Sequence, residues 1–156
     1  MKRIMIFGAG YVGGSLALLY AQKNRVFVID KDENKIKNIN EGIPMLNEPN
    51  IERLIKLTKK NLKADRDFLN YIDGINYVIL CLPTNYCHIK SQFDTSVIES
   101  VIKSLNAINF TNPIIIKSTV PIGFTSKLKE KFPNSYIYFS PEFLREGSSL
   151  KDAAFP

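Results

Sequence analysis

Glycines, strand-end hydroxyls and a few carboxylates are the residues of this chain whose types and spacing could do chemistry. The tightest grouping is Gly8-Ala9-Gly10-Tyr11-Val12-Gly13, followed about 20 residues further on by Asp30. That is the G-x-G-x-x-G pattern which cradles a dinucleotide when it stands between a strand and a helix. Gly8 lets the chain turn sharply out of the strand, Gly10 lets a pyrophosphate approach the backbone, and Gly13 lets the helix pack closely on the strand. Tyr11 and Val12 lie within the same turn. The helix N-terminus offers unpaired N–H groups and a positive dipole end to phosphate. Asp30 can accept hydrogen bonds from both ribose hydroxyls of an adenosine and would repel a 2′-phosphate, which favours NAD over NADP. FAD and an S-adenosyl donor use similar turns, and a tight turn with no ligand is the ordinary alternative. Thr84, Thr119 and Ser140 each follow an apolar run, although Ser and Thr also suit strand ends for local reasons. Glu142 and Glu146 read, from position alone, as surface carboxylates after a strand.

The elements that must position these residues follow from periodicity. Residues 2–7 form a short apolar run, 11–22 an apolar-periodic segment and 26–29 a second run ending on Asp30. Ile36 and Ile39 predict a helix over 32–40, started by Asp32 and stopped before Gly42. Lys35 lies one turn into it, on the side of the adenosine ribose, though spacing alone makes it an ordinary surface lysine. Residues 42–49, with one Gly and two Pro, form a loop. Asn50 is expected to cap a helix with Ile51, Leu54, Ile55 and Leu57 on its apolar face. A strand is expected at 61–64 and a short helix at 67–73. The continuous apolar run 77–82 marks a strand buried on both faces. Residues 85–93 form a polar loop without period. Asp94 is expected to cap a helix with Val97, Ile98, Val101, Ile102 and Leu105 inward. A buried strand at 114–116 ends at Lys117-Ser118-Thr119, a helix spans 125–131, and a strand at 136–139 ends at Ser140-Pro141-Glu142. Residues 143–156 show no clear period. Strands alternating with helices predict an α/β fold: a Rossmann-like doubly wound parallel sheet, one domain over residues 1–156. Ligands gather beyond the carboxyl ends of such strands. The loops at 8–13, 30, 82–85, 118–120 and 141–146 are therefore expected to meet at one crevice.

Composition narrows the class. The 156 residues are 45% hydrophobic and 23% charged, ordinary for a globular domain. The net charge of +6 comes from dispersed lysines, with no basic run interleaved with aromatics, so nucleic acid is not an expected partner. A modest positive surplus suits anionic ligands such as a dinucleotide or a nucleotide sugar. Cys81 and Cys87 are not spaced as C-x-x-C, and a single His is too few for a zinc site, so no metal is expected. Cys81 ends an apolar run and is expected to be inert. Cys87 beside His88 reads as an exposed pair of no chemical consequence. No stretch approaches the roughly 20 apolar residues of a membrane span, and no signal pattern opens the chain. The expected compartment is the cytoplasm.

Three pieces together resemble one family. They are Gly8-Ala9-Gly10-Tyr11-Val12-Gly13, Ile116-Lys117-Ser118-Thr119-Val120-Pro121-Ile122-Gly123 and Ser140-Pro141-Glu142-Phe143-Leu144-Arg145-Glu146-Gly147. They resemble the nucleotide-sugar 6-dehydrogenases, the UDP-glucose/GDP-mannose dehydrogenase family. The loop at 42–49 is similar to that family's G-x-x-P-x-x-E-P segment. Pro83-Thr84-Asn85-Tyr86 with Phe93-Asp94-Thr95 is similar to the compact bacterial members that act on UDP-glucose. The resemblance covers essentially the whole chain. It implies oxidation of a sugar C6 alcohol to a carboxylate with two NAD⁺, UDP-glucose being the first expectation and GDP-mannose or a UDP-N-acetylhexosamine the alternatives. A non-catalytic NAD-binding module is the reading from another class. By resemblance, residues 8–13 bind pyrophosphate and Asp30 the ribose, with Lys35 beside it. Thr84, Ser118 and Thr119 border the nicotinamide. Thr119 and Glu142 position a water and move protons, and Glu142, Phe143, Leu144, Arg145 and Glu146 meet the substrate, Glu146 also lying near the nicotinamide. The resemblance further implies that the family's catalytic cysteine lies in a second domain outside these residues. Neither Cys81 nor Cys87 takes that role, and the chain alone is expected to be inactive. A homodimer is expected of a full-length form and a monomer of this chain. The sheet is expected to end in an exposed edge.

Overall fold

The computed structural model describes residues 1–44, 46–87, 92–145 and 147–154. Its first unit is β1 (Arg3–Phe7), α1 (Tyr11–Ala21) and β2 (Arg25–Ile29), as the spacing predicts. There follow α2 (Glu33–Glu41), α3 (Ile51–Thr58), β3 (Leu62–Asp65) and a 3₁₀ turn (Phe68–Asn70). Then come β4 (Tyr77–Leu80), the two-residue strands β5 (Tyr86–Cys87) and β6 (Gln92–Phe93), and α4 (Ser96–Ala107). Last are β7 (Ile114–Ile116), α5 (Phe124–Lys131), β8 (Ile137–Phe139) and α6 (Ser149–Ala154). Six strands form one sheet in the order β3-β2-β1-β4-β7-β8, all neighbours parallel. Chain order reverses direction between β1 and β4, so the crevice lies at their carboxyl ends.

Alternation along each strand splits the core in two. Ile4, Ile6, Val26 and Val28 face a cluster with Leu16, Leu18, Ile39, Ile51, Ile55 and Leu150, which belongs to α1, α2, α3 and α6. Met5, Phe7, Val78 and Leu80 face the other, with Ile98, Ile102 and Leu105 of α4 and Leu128 of α5. The sheet is therefore covered on both sides, which is why its strands read as unbroken apolar runs.

Several expectations are corrected. Rather than a single apolar face, α1 has Gly13, Gly14, Ser15, Leu16, Ala17, Leu18 and Ala21 all buried. α3 and α6 pack against it in addition to the sheet, and a helix buried all round loses its periodicity. Asn50 precedes α3 with φ of 69° and its side chain caps nothing; Asn tolerates that left-handed geometry where most residues do not. Leu57 points outward, 66% exposed, and Thr58 is buried in its place, its hydroxyl donating to the Leu54 carbonyl. Val97 is likewise exposed. Thr95, not Asp94, is the residue before α4, while the Asp94 carboxylate accepts the Ser96 N–H at 3.0 Å. Within the polar stretch 85–93, β5 and β6 pair antiparallel, with Tyr86 edge-on to Phe93 at 5.3 Å. The predicted helix at 67–73 is only the 3₁₀ turn, and α6 falls in the stretch read as having no period. At one end of the sheet β8 is an edge strand, with Tyr138 and Phe139 exposed.

Asp65 closes β3 by accepting the Arg66 and Asp67 N–H groups and the Asn70 amide. The Asp67 N–H is the largest influence on its carboxyl; burial opposes it, and the Asn70, Arg66 and Tyr71 hydrogen bonds tip the balance, leaving the carboxyl below its ordinary value. A carboxyl lowered in the folded state contributes stability above its unfolded value, near 3.9, and that contribution is lost as pH falls through the folded value. Urea midpoints of the wild type and Asp65→Asn are therefore expected to differ at pH 6 and to converge as pH drops below about 4.

Candidate functional site

The turn after β1 is built by contacts that exclude side chains. Gly8 has φ of 98°, and its N–H bonds the Ile29 carbonyl at 2.8 Å, tying the turn to β2. A Cβ on Gly8 would run into the Cys81 carbonyl, and a Cβ on Gly13 into the Gly8 carbonyl. Gly10 differs: a Cβ there would meet nothing within 4 Å. Two of the three glycines thus serve the protein's own packing, and the third faces open space that a pyrophosphate would occupy. Gly10 is also the residue before α1, whose first turn has no side-chain cap. Its orphan N–H groups are left to solvent or a ligand. Tyr11 stands exposed at this turn and Val12 is partly buried.

Asp30 is already at work in this geometry. One carboxylate oxygen accepts the Ala9 N–H at 2.6 Å and the other the Asp32 N–H at 3.0 Å. It braces the glycine turn from the end of β2, and each oxygen keeps a further lone pair for a ribose hydroxyl. Lys35 sits partly buried in the first turn of α2, a helix started by Asp32 accepting the Asn34 and Lys35 N–H groups. An open glycine, an uncapped helix start and an acid at the next strand end fit a dinucleotide.

Beyond the switch point, Ser118 is buried and its hydroxyl is committed to backbone. It accepts the Leu82 N–H at 2.9 Å and donates to the Leu80 carbonyl at 3.3 Å. It stitches the end of β7 to the end of β4 and explains why β4 stops at Leu80: the next inward donor goes to a side chain instead of a strand. Thr84 is partly buried and Thr119 exposed, each just beyond its strand end.

Lys117 is the residue that the sequence reading passed over. Its ammonium lies 3.1 Å from a Glu142 oxygen and donates to Ser140 Oγ at 3.2 Å. Both side chains of the ion pair are mostly buried, 15% and 16% exposed. The other Glu142 oxygen accepts the Phe143 N–H at 3.0 Å, so the carboxylate is held at both ends. A single cation closing the run Ile114-Ile115-Ile116 was the available signal. Cys81 lies close enough to feel both charges, but burial pushes its thiol up to about 12, so it stays neutral and unreactive. Lys117→Met is expected to lower stability by about 1–3 kcal/mol, because it leaves a mostly buried carboxylate without its cation. Urea unfolding measures this; an unchanged midpoint would mean that the pair adds nothing.

Phe143 is 88% exposed and Leu144 partly buried on the same loop. Arg145 is turned along the chain to Asp152 of α6, which accepts its N–H, Nε and Nη2 at 2.8–3.1 Å. Those bonds hold the Asp152 carboxyl well below its ordinary range. Glu146, His88 and the side chain of Cys87 lie outside the described residues.

A parallel doubly wound sheet with an open glycine turn at its switch point and an acid closing the next strand defines a dinucleotide-binding domain. Residues 2–156 match the UDP-glucose/GDP-mannose dehydrogenase family, NAD binding domain, and the chain belongs to that family. It is 42% identical over 154 residues to a UDP-glucose 6-dehydrogenase of Streptococcus pneumoniae and 40% identical over 156 residues to one of Campylobacter jejuni. Each alignment covers 99% of this chain but only 39% and 40% of the relative, so the chain spans about two fifths of their length. Among solved structures, a ternary complex of GDP-mannose dehydrogenase from Pseudomonas aeruginosa superposes with a TM-score of 0.86 at 27% identity, covering 99% of this chain and 39% of that one. The cofactor of the domain is NAD.

Proposed function

We propose that these residues form the cofactor half of a nucleotide-sugar 6-dehydrogenase that oxidises the C6 alcohol of UDP-glucose to the carboxylate with two NAD⁺. The observation that carries it is that an open glycine turn and a carboxylate clamped by Lys117 stand at the carboxyl ends of one parallel sheet. The likeness to two UDP-glucose 6-dehydrogenases supports the choice of sugar. Bound in the turn, NAD⁺ supplies the hydride acceptor. Gly8, Gly10, Tyr11, Val12 and Gly13 take the pyrophosphate, Asp30 the ribose with Lys35 alongside. Thr84 and Thr119 border the nicotinamide end, while Ser118 shapes that end through the backbone it ties. Thr119 and Glu142 position a water and move protons, a role suited to a hydroxyl and a fixed carboxylate that follow neighbouring strands. Phe143, Leu144, Arg145 and Glu146 meet the sugar nucleotide.

Cofactor binding falls to this chain and hydride transfer to the longer chains of the relatives, because transfer needs substrate held against the nicotinamide. Calorimetry should show NAD⁺ binding to the 156-residue chain, with no NADH formed on adding UDP-glucose. Silence in the calorimeter at millimolar NAD⁺ would remove the cofactor reading. Steady NADH production would remove the division of labour.

A further inference from the structure

Glu48 belongs to the loop between α2 and α3, far along the chain from the crevice, yet it reaches α6. Its Oε2 accepts the Leu150 N–H at 3.0 Å and its Oε1 accepts the Ser149 hydroxyl at 2.6 Å. Because the Ser149 proton is spent on Glu48, the 2.7 Å contact between Ser149 Oγ and Ser15 Oγ has Ser15 as donor. Both serines are fully buried, and Ser15 lies in α1, two residues after Gly13. From α6 the chain of bonds continues to the loop after β8. Asp152 accepts the Arg145 backbone N–H, two bonds from its guanidinium, and the Ser148 hydroxyl. Thus α1, which starts at the cofactor turn, is joined through Ser15, Ser149 and Asp152 to the loop carrying Glu142 and Phe143.

We propose that Glu48 is a positioning residue, a clasp that fixes α6 against α1 and thereby holds the 141–145 loop at the nicotinamide end of the crevice. This rests on the cofactor reading above. A six-residue helix cannot place itself, since isolated helices of that length do not persist in water. Of its side chains, Leu150 is buried in the α1 side of the core and Ala153 packs partly buried against it. The direction of the clasp comes from the hydrogen bonds, which are made to a charged acceptor and so are the strong kind. Burial works to raise the Glu48 carboxyl, as does the nearby charge of Asp152. The Leu150 N–H together with the Ser149 hydroxyl and N–H outweighs both and leaves the carboxyl below its ordinary value.

Hydrogen exchange and ligand titration on the 156-residue chain test the clasp. In Glu48→Gln, the amides of Phe143, Arg145 and Leu150 are expected to exchange at least about tenfold faster, the loss of one charge-assisted bond or more. Amides of β2 and β7 should keep wild-type protection. NAD⁺ affinity should fall several-fold while ADP-ribose, which lacks the nicotinamide, binds as before. Ser15→Ala and Ser149→Ala should loosen the same amides to a smaller degree, and they carry the test if Glu48→Gln does not fold. Equal acceleration in the sheet would reduce Glu48 to general stability and overturn the proposal, as would unchanged exchange in the loop. Equal loss of NAD⁺ and ADP-ribose would also overturn it. Should the wild type bind neither ligand, the cofactor reading fails on its own and the exchange data alone decide the clasp.

Discussion

Gly13→Ala is expected to cost the chain about 3 kcal/mol or more, a large share of the total stability of a domain this size. The new methyl group would have to enter the space of the Gly8 carbonyl oxygen and press the Cys81 Cβ at 3.2 Å. Neither neighbour can yield cheaply. The Gly8 carbonyl is fixed by a turn whose N–H is bonded to β2, and Cys81 by its own N–H bonded to the Phe7 carbonyl at 2.8 Å. Alanine gains roughly 1 kcal/mol over glycine in helix propensity, too little to offset the collision. Gly8→Ala should behave as badly, because φ of 98° and the Cys81 carbonyl both oppose a side chain there. Gly10→Ala should leave stability within about 0.5 kcal/mol of wild type and still weaken NAD⁺, since only a ligand competes for that space. Urea unfolding of the three variants separates packing from binding. A Gly13→Ala chain with a wild-type midpoint would show that α1 can slide away from β1.

Asp30→Ala is expected to weaken NAD⁺ by at least tenfold, the loss of hydrogen bonds to a charged acceptor being worth about 1.5–3 kcal/mol. The effect has two sources. The ribose loses its acceptor, and the Ala9 N–H loses the 2.6 Å bond that braces the glycine turn. Asp30→Asn separates them, because an amide oxygen can still accept from Ala9 but carries no charge. With Asn, the preference for NAD⁺ over NADP⁺ should shrink while the turn remains ordered. Calorimetric titration with both cofactors measures this. An unchanged NAD⁺ affinity in Asp30→Ala would place the adenosine elsewhere.

What could be read from sequence here was whatever depends on near neighbours. The unit β1-α1-β2 with Asp30 was legible because three signals coincide within about thirty residues: two short apolar runs, a G-x-G-x-x-G turn between them and an acid at the second strand's end. β4 and β7 were legible as unbroken apolar runs, since a sheet covered on both faces has no polar side. The pieces that escaped are set by partners far away. α6 has too few residues to show a period and is placed by Glu48, a hundred positions earlier. β5 and β6 have two residues each, too few to show an alternation, and pair antiparallel with Tyr86 against Phe93. Of the candidate site, Gly10 and Asp30 were visible in spacing. The burial of Lys117 against Glu142 was not, because an ion pair between successive strand ends leaves no pattern in either segment. The backbone bonds of the Ser118 hydroxyl, to the Leu80 carbonyl and from the Leu82 N–H, were likewise hidden, because they cross from one strand end to another 36 or more residues away.

The outer margin of β8 carries a consequence for the behaviour of the chain in concentrated solution. No strand lies beyond it among the described residues, and Tyr136, Tyr138 and Phe139 are 57%, 50% and 45% exposed along it. A row of unsatisfied amides beside aromatic rings is adhesive, a template on which a like strand of another molecule can lie. Lys129, poised 5.6 Å above the Tyr138 ring, places a positive charge on that margin. It makes self-pairing costlier, in the way edge lysines guard other sheets. High salt, which screens that charge, therefore favours association between molecules even as it leaves the interior untouched.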